Sequence, residues 1–252
     1  MNNLFSLAEK KAILTGGSRG LGYGMAEGLL EAGCEVLIIS ASEKALSAAQ
    51  SFREKGYACH GLRVDIGSAA EREEGFQKAV EILGGLDILV NAAGVQRRHK
   101  CEEFPLEDWN LVLEVNLTAT FALCQMAARI FLGQGGGKII NVASMLSYFG
   151  GFTVPAYAAS KGGVAQITKA FSNEWACHNI NINAIAPGYM DTEMNERLLA
   201  DPVRNQEITN RIPAKRWGTP EDMKGITVFL ASAASDYLNG TVIPVDGGYL
   251  SR

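Results

Sequence analysis

Short apolar runs alternate along this chain with longer amphipathic segments, and no other feature limits the possible folds as strongly. The runs at 12–15, 36–39, 61–64, 88–91, 138–142, 181–186 and 241–245 are rich in Val, Ile and Leu. Continuous apolar character of this kind marks strands covered on both faces, as in a parallel sheet. Between them, 21–32, 43–55, 69–83, 106–132, 154–177 and 220–231 carry helical patterns. This order predicts an α/β fold: a doubly wound parallel sheet of about seven strands with helices on both faces.

A length of 252 residues leaves one or two domains open. No Pro/Gly/Ser-rich linker and no repeat divides the chain, so a single domain spanning 1–252 is expected. The segment 189–218 fits the alternation least, being polar and containing Asp201-Pro202 and Ile212-Pro213. It reads either as a substrate-loop insertion acting as a lid or as a pair of ordinary surface helices. With 47% hydrophobic and 20% charged residues the chain has material for a large core. A net charge of -4 supplies no basic footprint for nucleic acid. Cys34, Cys59, Cys101, Cys124 and Cys177 are dispersed without a CxxC pair, and His60, His99 and His178 form no ligand-spaced cluster with them. Reduced thiols and no metal site are therefore expected. The opening MNNLFSLAEKK lacks a secretory pattern, and no uninterrupted apolar stretch reaches the ~18–20 residues of a membrane span. The expectation is a cytoplasmic protein with no membrane partner.

The first apolar run leads directly into Thr15-Gly16-Gly17-Ser18-Arg19-Gly20-Leu21-Gly22, and a helical pattern follows. Glycines at a strand-to-helix turn let backbone N–H groups approach a pyrophosphate, which then faces the helix N-terminus. The spacing, T-G-x-x-x-G-x-G, is that of the short-chain dehydrogenase/reductase family, which the chain resembles over nearly its whole length. Asp65 and Ile66 end the third strand, where the family contacts adenine. Asn91-Ala92-Ala93-Gly94 resembles the family's N-N-A-G, with Ala92 replacing the second Asn. Pro187-Gly188 ends the sixth strand and Met190 and Thr192 follow it, where the family places the nicotinamide. The resemblance implies a Rossmann-type fold and NAD or NADP as cofactor. At the end of the second strand an acid would bind a ribose 2′-OH and repel a 2′-phosphate. This chain has Ser40 and Ser42 there, with Arg19 in the glycine-rich loop, a combination that leans toward NADP over NAD. Arg19 also reads as a solvated loop residue, and the two serines as partners of a ribose diol.

Tyr157-Ala158-Ala159-Ser160-Lys161 places Tyr157 and Lys161 at i and i+4 of a predicted helix, on one face. A phenol titrates near ~10, too high for a general base at neutrality, and a neighbouring ammonium is expected to pull it down. Ser144 follows the fifth strand, where a hydroxyl can hold a substrate oxygen. Asn116 lies inside a predicted helix, where Asn is intrinsically disfavoured. Together they resemble the family's Asn-Ser-Tyr-Lys tetrad with no member substituted, which implies hydride transfer at a secondary alcohol or ketone.

Gln96-Arg97-Arg98-His99 lies just past the fourth strand. Guanidinium groups bind carboxylates bidentately, so an anionic small-molecule substrate is one reading, and a solvated basic loop or an interface ion pair the other. With Ala143–Ser147, Arg211–Gly218 and the ending Val245-Asp246-Gly247-Gly248-Tyr249-Leu250, this loop resembles the family's sugar-acid branch. That branch implies hexonates of the 2-deoxy-gluconate or 2-dehydro-3-deoxy-gluconate type, with gluconate 5-dehydrogenation as the neighbouring alternative. A carrier-protein ketoreductase and a non-catalytic nucleotide sensor remain as competing classes. The family is commonly tetrameric, so a homotetramer is expected.

Overall fold

The computed structural model describes residues 4–251; Met1–Asn3 of the opening segment and Arg252 lie outside them. Seven parallel strands form one sheet in the order β3-β2-β1-β4-β5-β6-β7. They are β1 (Lys11–Thr15), β2 (Glu35–Ser40), β3 (Cys59–Arg63), β4 (Ile88–Asn91), β5 (Gly137–Val142), β6 (Ile180–Pro187) and β7 (Val242–Val245). Each apolar run of the sequence is a strand. Their residues point alternately into two cores. Ala12, Leu14, Val36 and Ile38 face one side; Ile13, Leu37 and Ile39 face the other. Both faces are dry, which is why these runs are apolar throughout instead of alternating.

One core is closed by α1 (Gly20–Glu31), α2 (Lys44–Glu54) and α9 (Lys224–Ala231), and the other by α3 (Ala69–Leu83), α5 (Ala119–Gln134) and part of α6 (Pro155–Trp175). Local signals set the ends. Ser68 accepts from the Glu71 N–H to start α3, and Gly84 ends it in the left-handed region, the role only glycine takes without strain. Truncating Leu14 or Phe131, both fully buried, should cost about 2–5 kcal/mol.

The predicted single helix at 106–132 is interrupted. It consists of α4 (Leu106–Leu113), a π-helical turn at Glu114–Thr118, and α5. The continuous stretch Leu106–Gln134 is long and apolar enough to cross a membrane by length and composition, which run-counting in the sequence had not indicated. Here Val112, Val115, Leu123, Ala127 and Phe131 are buried within the fold. The predicted helix at 220–231 begins as a 3-10 turn, Pro220–Met223, because Thr219 and Asp222 close a capping box around Pro220. The irregular segment 189–218 holds α7 (Glu196–Ala200) and α8 (Pro202–Arg211), the latter started by Asp201 accepting from Val203 and Arg204 N–H groups. Its two ends are tied by a bridge between Met190 and Gly218.

Candidate active site

The C-terminal ends of β1, β4, β5 and β6 converge on one side of the sheet, where open α/β sheets bind ligands. Gly16 sits at φ +76°, and a Cβ there would come 2.6 Å from Ala93 Cα, so the glycine-rich loop can lie against the turn after β4 only without a side chain. A Cβ on Gly22 would meet the Gly16 carbonyl at 2.2 Å, which fixes α1 directly under the loop. Arg19 precedes α1 in extended conformation, gives no side-chain cap, and no acid stands in the first turn. The first N–H groups and the positive helix end are thus available to an anion. Ser18, Gly20 and Leu21 complete this cradle, and a Cβ on Gly20 would lie 3.6 Å from Thr192 Cγ2, so Thr192 stands over the loop. These residues fit a dinucleotide pyrophosphate.

The four residues of the predicted tetrad come together at the β4–β5 edge. The π-helical turn carries Asn116, fully buried, with Oδ1 accepting from Val95 N–H at 2.8 Å and Nδ2 donating to Val95 O at 3.0 Å. Nδ2 also donates to Ser160 Oγ at 3.1 Å. The side chain therefore clamps the loop after β4 onto α6, and a π-bulge is a common way to aim a residue at a site. Pro155 at the first turn of α6 starts the helix so that Tyr157 and Lys161 fall in its opening turns. Lys161 is buried, and its Nζ donates to Val142 O at 2.6 Å. Burial lowers its pKa to about 8. The Nζ lies 5.7 Å from the Tyr157 ring centre. A Cβ on Gly94 would come 3.3 Å from Asn116 Oδ1 and 3.7 Å from Lys161 Nζ, so Gly94 leaves open the space these two groups face.

Tyr157 corrects one expectation. Burial pushes its phenol above the ordinary value, and a hydrogen bond with Ser144 offsets this only in part. Burial outweighs the lowering expected from Lys161, whose ammonium is directed at the Val142 carbonyl. Ser144 itself is set by a tight turn: its Oγ accepts from Leu146 N–H at 3.1 Å, and its N–H donates to Ser147 Oγ at 3.3 Å. Ser147 Oγ in turn donates to the Lys161 carbonyl at 2.7 Å, linking this turn to α6.

Other sequence candidates are distributed differently. Ser40 Oγ donates to Ser42 O at 3.0 Å, curling the chain after β2 so that both serines occupy one corner. Arg19 does not extend to that corner: it forms an ion pair with Glu193, just after Thr192. Asp65 accepts from Gly67 N–H at 2.9 Å, and Ile66 is buried in the core. Asn91 turns its amide inward, donating to Asn141 Oδ1 at 2.9 Å, while its own Oδ1 is buried without a partner among the described residues. Ala92 donates its N–H to Thr15 O at 3.2 Å, holding β4's end to β1. Pro187 ends β6, Gly188 N–H donates to Val245 O at 2.9 Å, and Met190 is buried beside Gly218.

The basic loop after β4 is divided by Asp108 of α4. Arg97 Nε donates to Asp108 Oδ1 at 3.2 Å, and His99 Nε2 contacts Oδ2 at 2.6 Å. Arg98 is exposed and has no hydrogen-bond or ion-pair partner among the described residues. The His99 N–H donates to Thr153 O at 3.1 Å, joining this loop to the one between Ser144 and Tyr157. Sequence reasoning missed Ser147, Asp108 and the Val142 carbonyl. Ser160 was in view within the Tyr157–Lys161 motif, yet helical spacing alone did not reveal that it joins Asn116 to the Tyr157 carbonyl.

A dinucleotide cradle beside a Ser-Tyr-Lys-Asn group, its Asn116 and Lys161 buried, defines a nicotinamide-dependent oxidoreductase. Residues 16–250 match the family model described as enoyl-(acyl carrier protein) reductase, and the chain belongs to the short-chain dehydrogenase/reductase family. It is 48% identical over 251 residues to 2-dehydro-3-deoxy-D-gluconate 5-dehydrogenase of Dickeya dadantii, covering 99% of each chain. A crystal structure from Agrobacterium tumefaciens, described as a candidate 2-deoxy-D-gluconate 3-dehydrogenase with bound NADP, superposes with a TM-score of 0.94 at 44% identity over 100% of both chains. Gluconate 5-dehydrogenase of Burkholderia cenocepacia, in complex with NADP and tartrate, gives a TM-score of 0.95 at 39% identity, covering 99% of this chain and 98% of that one. This chain is an NAD(P)-dependent oxidoreductase.

Proposed function

We propose that this enzyme transfers hydride between NADP and a secondary alcohol or ketone of a sugar acid of the 2-dehydro-3-deoxy-gluconate or 2-deoxy-gluconate type. The observation that carries the reading is the guanidinium of Arg98, without a partner among the described residues, on the loop that Asn116 clamps beside Lys161. A carboxylate is the natural partner of such a group. The relatives support it, since they are sugar-acid dehydrogenases and one structure holds tartrate, a hydroxy acid, with NADP. NADP is favoured over NAD by the missing acid at Ser40 and by the NADP in the solved relatives.

When bound, the nicotinamide supplies or accepts the hydride. Gly16, Ser18, Gly20, Leu21 and Gly22 would hold its pyrophosphate, Ser40, Ser42, Asp65 and Ile66 would border the adenosine end, and Asn91, Ala92, Gly94, Pro187, Gly188, Met190 and Thr192 would shape the nicotinamide end. Ser144 donates to the substrate oxygen and stabilises charge there. A phenol held above its ordinary pKa is fully protonated at neutral pH, so Tyr157 is ready to give its proton to a carbonyl in reduction. In oxidation the phenol first gives up its own proton to solvent, and the phenolate so formed takes the hydroxyl proton; the nearby Lys161 charge lowers the cost of that phenolate. Asn116 keeps Lys161's surroundings in place. Arg97 and His99, held by Asp108, border the substrate entrance, and the segment 189–218 acts as its lid. The protein is read as a soluble cytoplasmic homotetramer, a reading supported by exposed Phe121 and Leu132 on α5.

Turnover of a panel of hexonates with NAD and NADP, run beside an acetoacetyl thioester, tests this reading. Hexonate turnover with preference for NADP is expected. Activity on the thioester alone would replace it with a carrier-protein ketoreductase, and no turnover of any substrate with a nucleotide still bound would point to a sensor.

A further inference from the structure

We propose that Arg63, at the end of β3, is the side chain that recognises the 2′-phosphate of the dinucleotide. The proposal rests on the NADP reading and assigns the residue that produces it. In open α/β sheets the end of the second strand meets the adenosine ribose, and an arginine nearby accommodates a 2′-phosphate. Register pairs Ser40 of β2 with Arg63 of β3, and paired residues of neighbouring strands point to the same face. On β2 this face also carries Ile38, and a Cβ on Gly17 of the glycine-rich loop would lie 3.1 Å from Ile38 Cγ2. Arg63 therefore stands on the glycine-loop side of the sheet, one strand beyond Ser40.

Its contacts leave the charge available. Nε donates to Ala41 O at 3.4 Å and lies 3.9 Å from Glu43 Oε1. Both contacts use Nε; the two terminal nitrogens have no partner among the described residues. The Arg63 and Glu43 side chains are 62% and 71% exposed, so their ion pair is weak and readily exchanged for a stronger anion. The terminal nitrogens form the planar fork that suits a phosphate, and Ser40 and Ser42 stand at the same corner with hydroxyl groups. Arg19, the cation that the sequence suggested for this task, is paired with Glu193 beside Thr192.

Calorimetric titration with adenosine 2′,5′-bisphosphate and adenosine 5′-monophosphate tests the assignment without turnover. Wild type should bind the bisphosphate more tightly. Arg63→Ala should remove about tenfold of that preference, the size of one charge-assisted contact at an exposed site, while leaving 5′-monophosphate affinity unchanged. Arg63→Lys should keep part of it, and Arg19→Ala should keep it all. An Arg63→Ala enzyme with undiminished preference, an equal loss of both ligands, or loss of preference in Arg19→Ala alone would overturn the assignment and leave the NADP reading standing. A wild type that does not distinguish the two ligands would overturn both.

Discussion

Lys161 directs its ammonium to the Val142 carbonyl, 2.6 Å away, while standing 5.7 Å from the centre of the Tyr157 ring. The strand that ends in the Ser144 turn therefore anchors the lysine, and the lysine acts on the phenol through space. The burial that this geometry demands destabilises the charged amine.

That cost has a pH signature. Lys161 is held at about 8, against 10.5 ordinarily, so between these values the unfolded chain binds more protons than the folded one. The cost is fully present below pH 8 and is relieved as pH rises from 8 toward 10.5. Lys161→Met should abolish turnover and yet stabilise the fold at pH 7 by about 1–3 kcal/mol, after loss of the Val142 bond is counted. The gain should shrink at pH 9–10. Denaturant titrations at several pH values read this, and a destabilised variant at pH 7 would contradict the assigned burial cost.

Tyr157→Phe removes the proton and keeps the ring. Turnover should fall by at least about 10²–10⁴-fold, with nucleotide affinity changed little. Stopped-flow reduction and nucleotide titration separate the two, and near-full turnover would transfer proton donation to another group.

The sheet was legible because both faces of β1, β2 and β4 are dry, and two dry faces leave continuous apolar runs. The tetrad was legible because Tyr157 and Lys161 are local on one helix. What the sequence hid depends on distant partners. The π-helical turn at Asn116 exists where its amide meets Val95 and Ser160, and no periodicity of segment 106–132 encodes that meeting. The direction of the Tyr157 pKa was misjudged for the same reason: i,i+4 spacing places Lys161 on the right face but reveals neither the burial of the phenol nor that a carbonyl on β5 accepts the lysine's hydrogen bond. Arg19 looked free in sequence because Glu193 is remote along the chain.

Phe121 and Leu132 lie about three turns apart on α5 and are 42% and 46% exposed, with Phe121 against Phe171 and Phe171 stacked on Trp175 of α6. Exposed apolar side chains on one helix face suit an interface, and closed symmetry makes a dimer or tetramer the expected product. Light scattering at micromolar concentration should show a tetramer, and Phe121→Glu should reduce it to smaller species. A monomeric wild type would remove this face as an interface.

The final prediction concerns the substrate anion. Asp108 already engages Arg97 and His99, with contacts at 3.2 and 2.6 Å, whereas Arg98 has no partner among the described residues. A substrate carboxylate should therefore be held by Arg98, and Arg98→Ala should raise KM for an active hexonate. A charge-assisted bidentate contact contributes about 1.5–3 kcal/mol, or roughly ten- to hundred-fold in KM. Because ground and transition states share that contact, kcat should change little. Arg98→Lys should recover only part of the loss, since an ammonium lacks the planar fork. Arg97→Ala should act less, through the loop that Asp108 organises, and Asp108→Asn should resemble it by loosening Arg97 and His99 together. A neutral polyol should be a poor substrate for wild type and should not worsen in step with the hexonate. Steady-state kinetics of the four variants decide the matter. If Arg97→Ala raises KM more than Arg98→Ala does, the Asp108 pair reorganises on binding and Arg97 holds the carboxylate. If neither changes KM, this loop does not recognise the acid group.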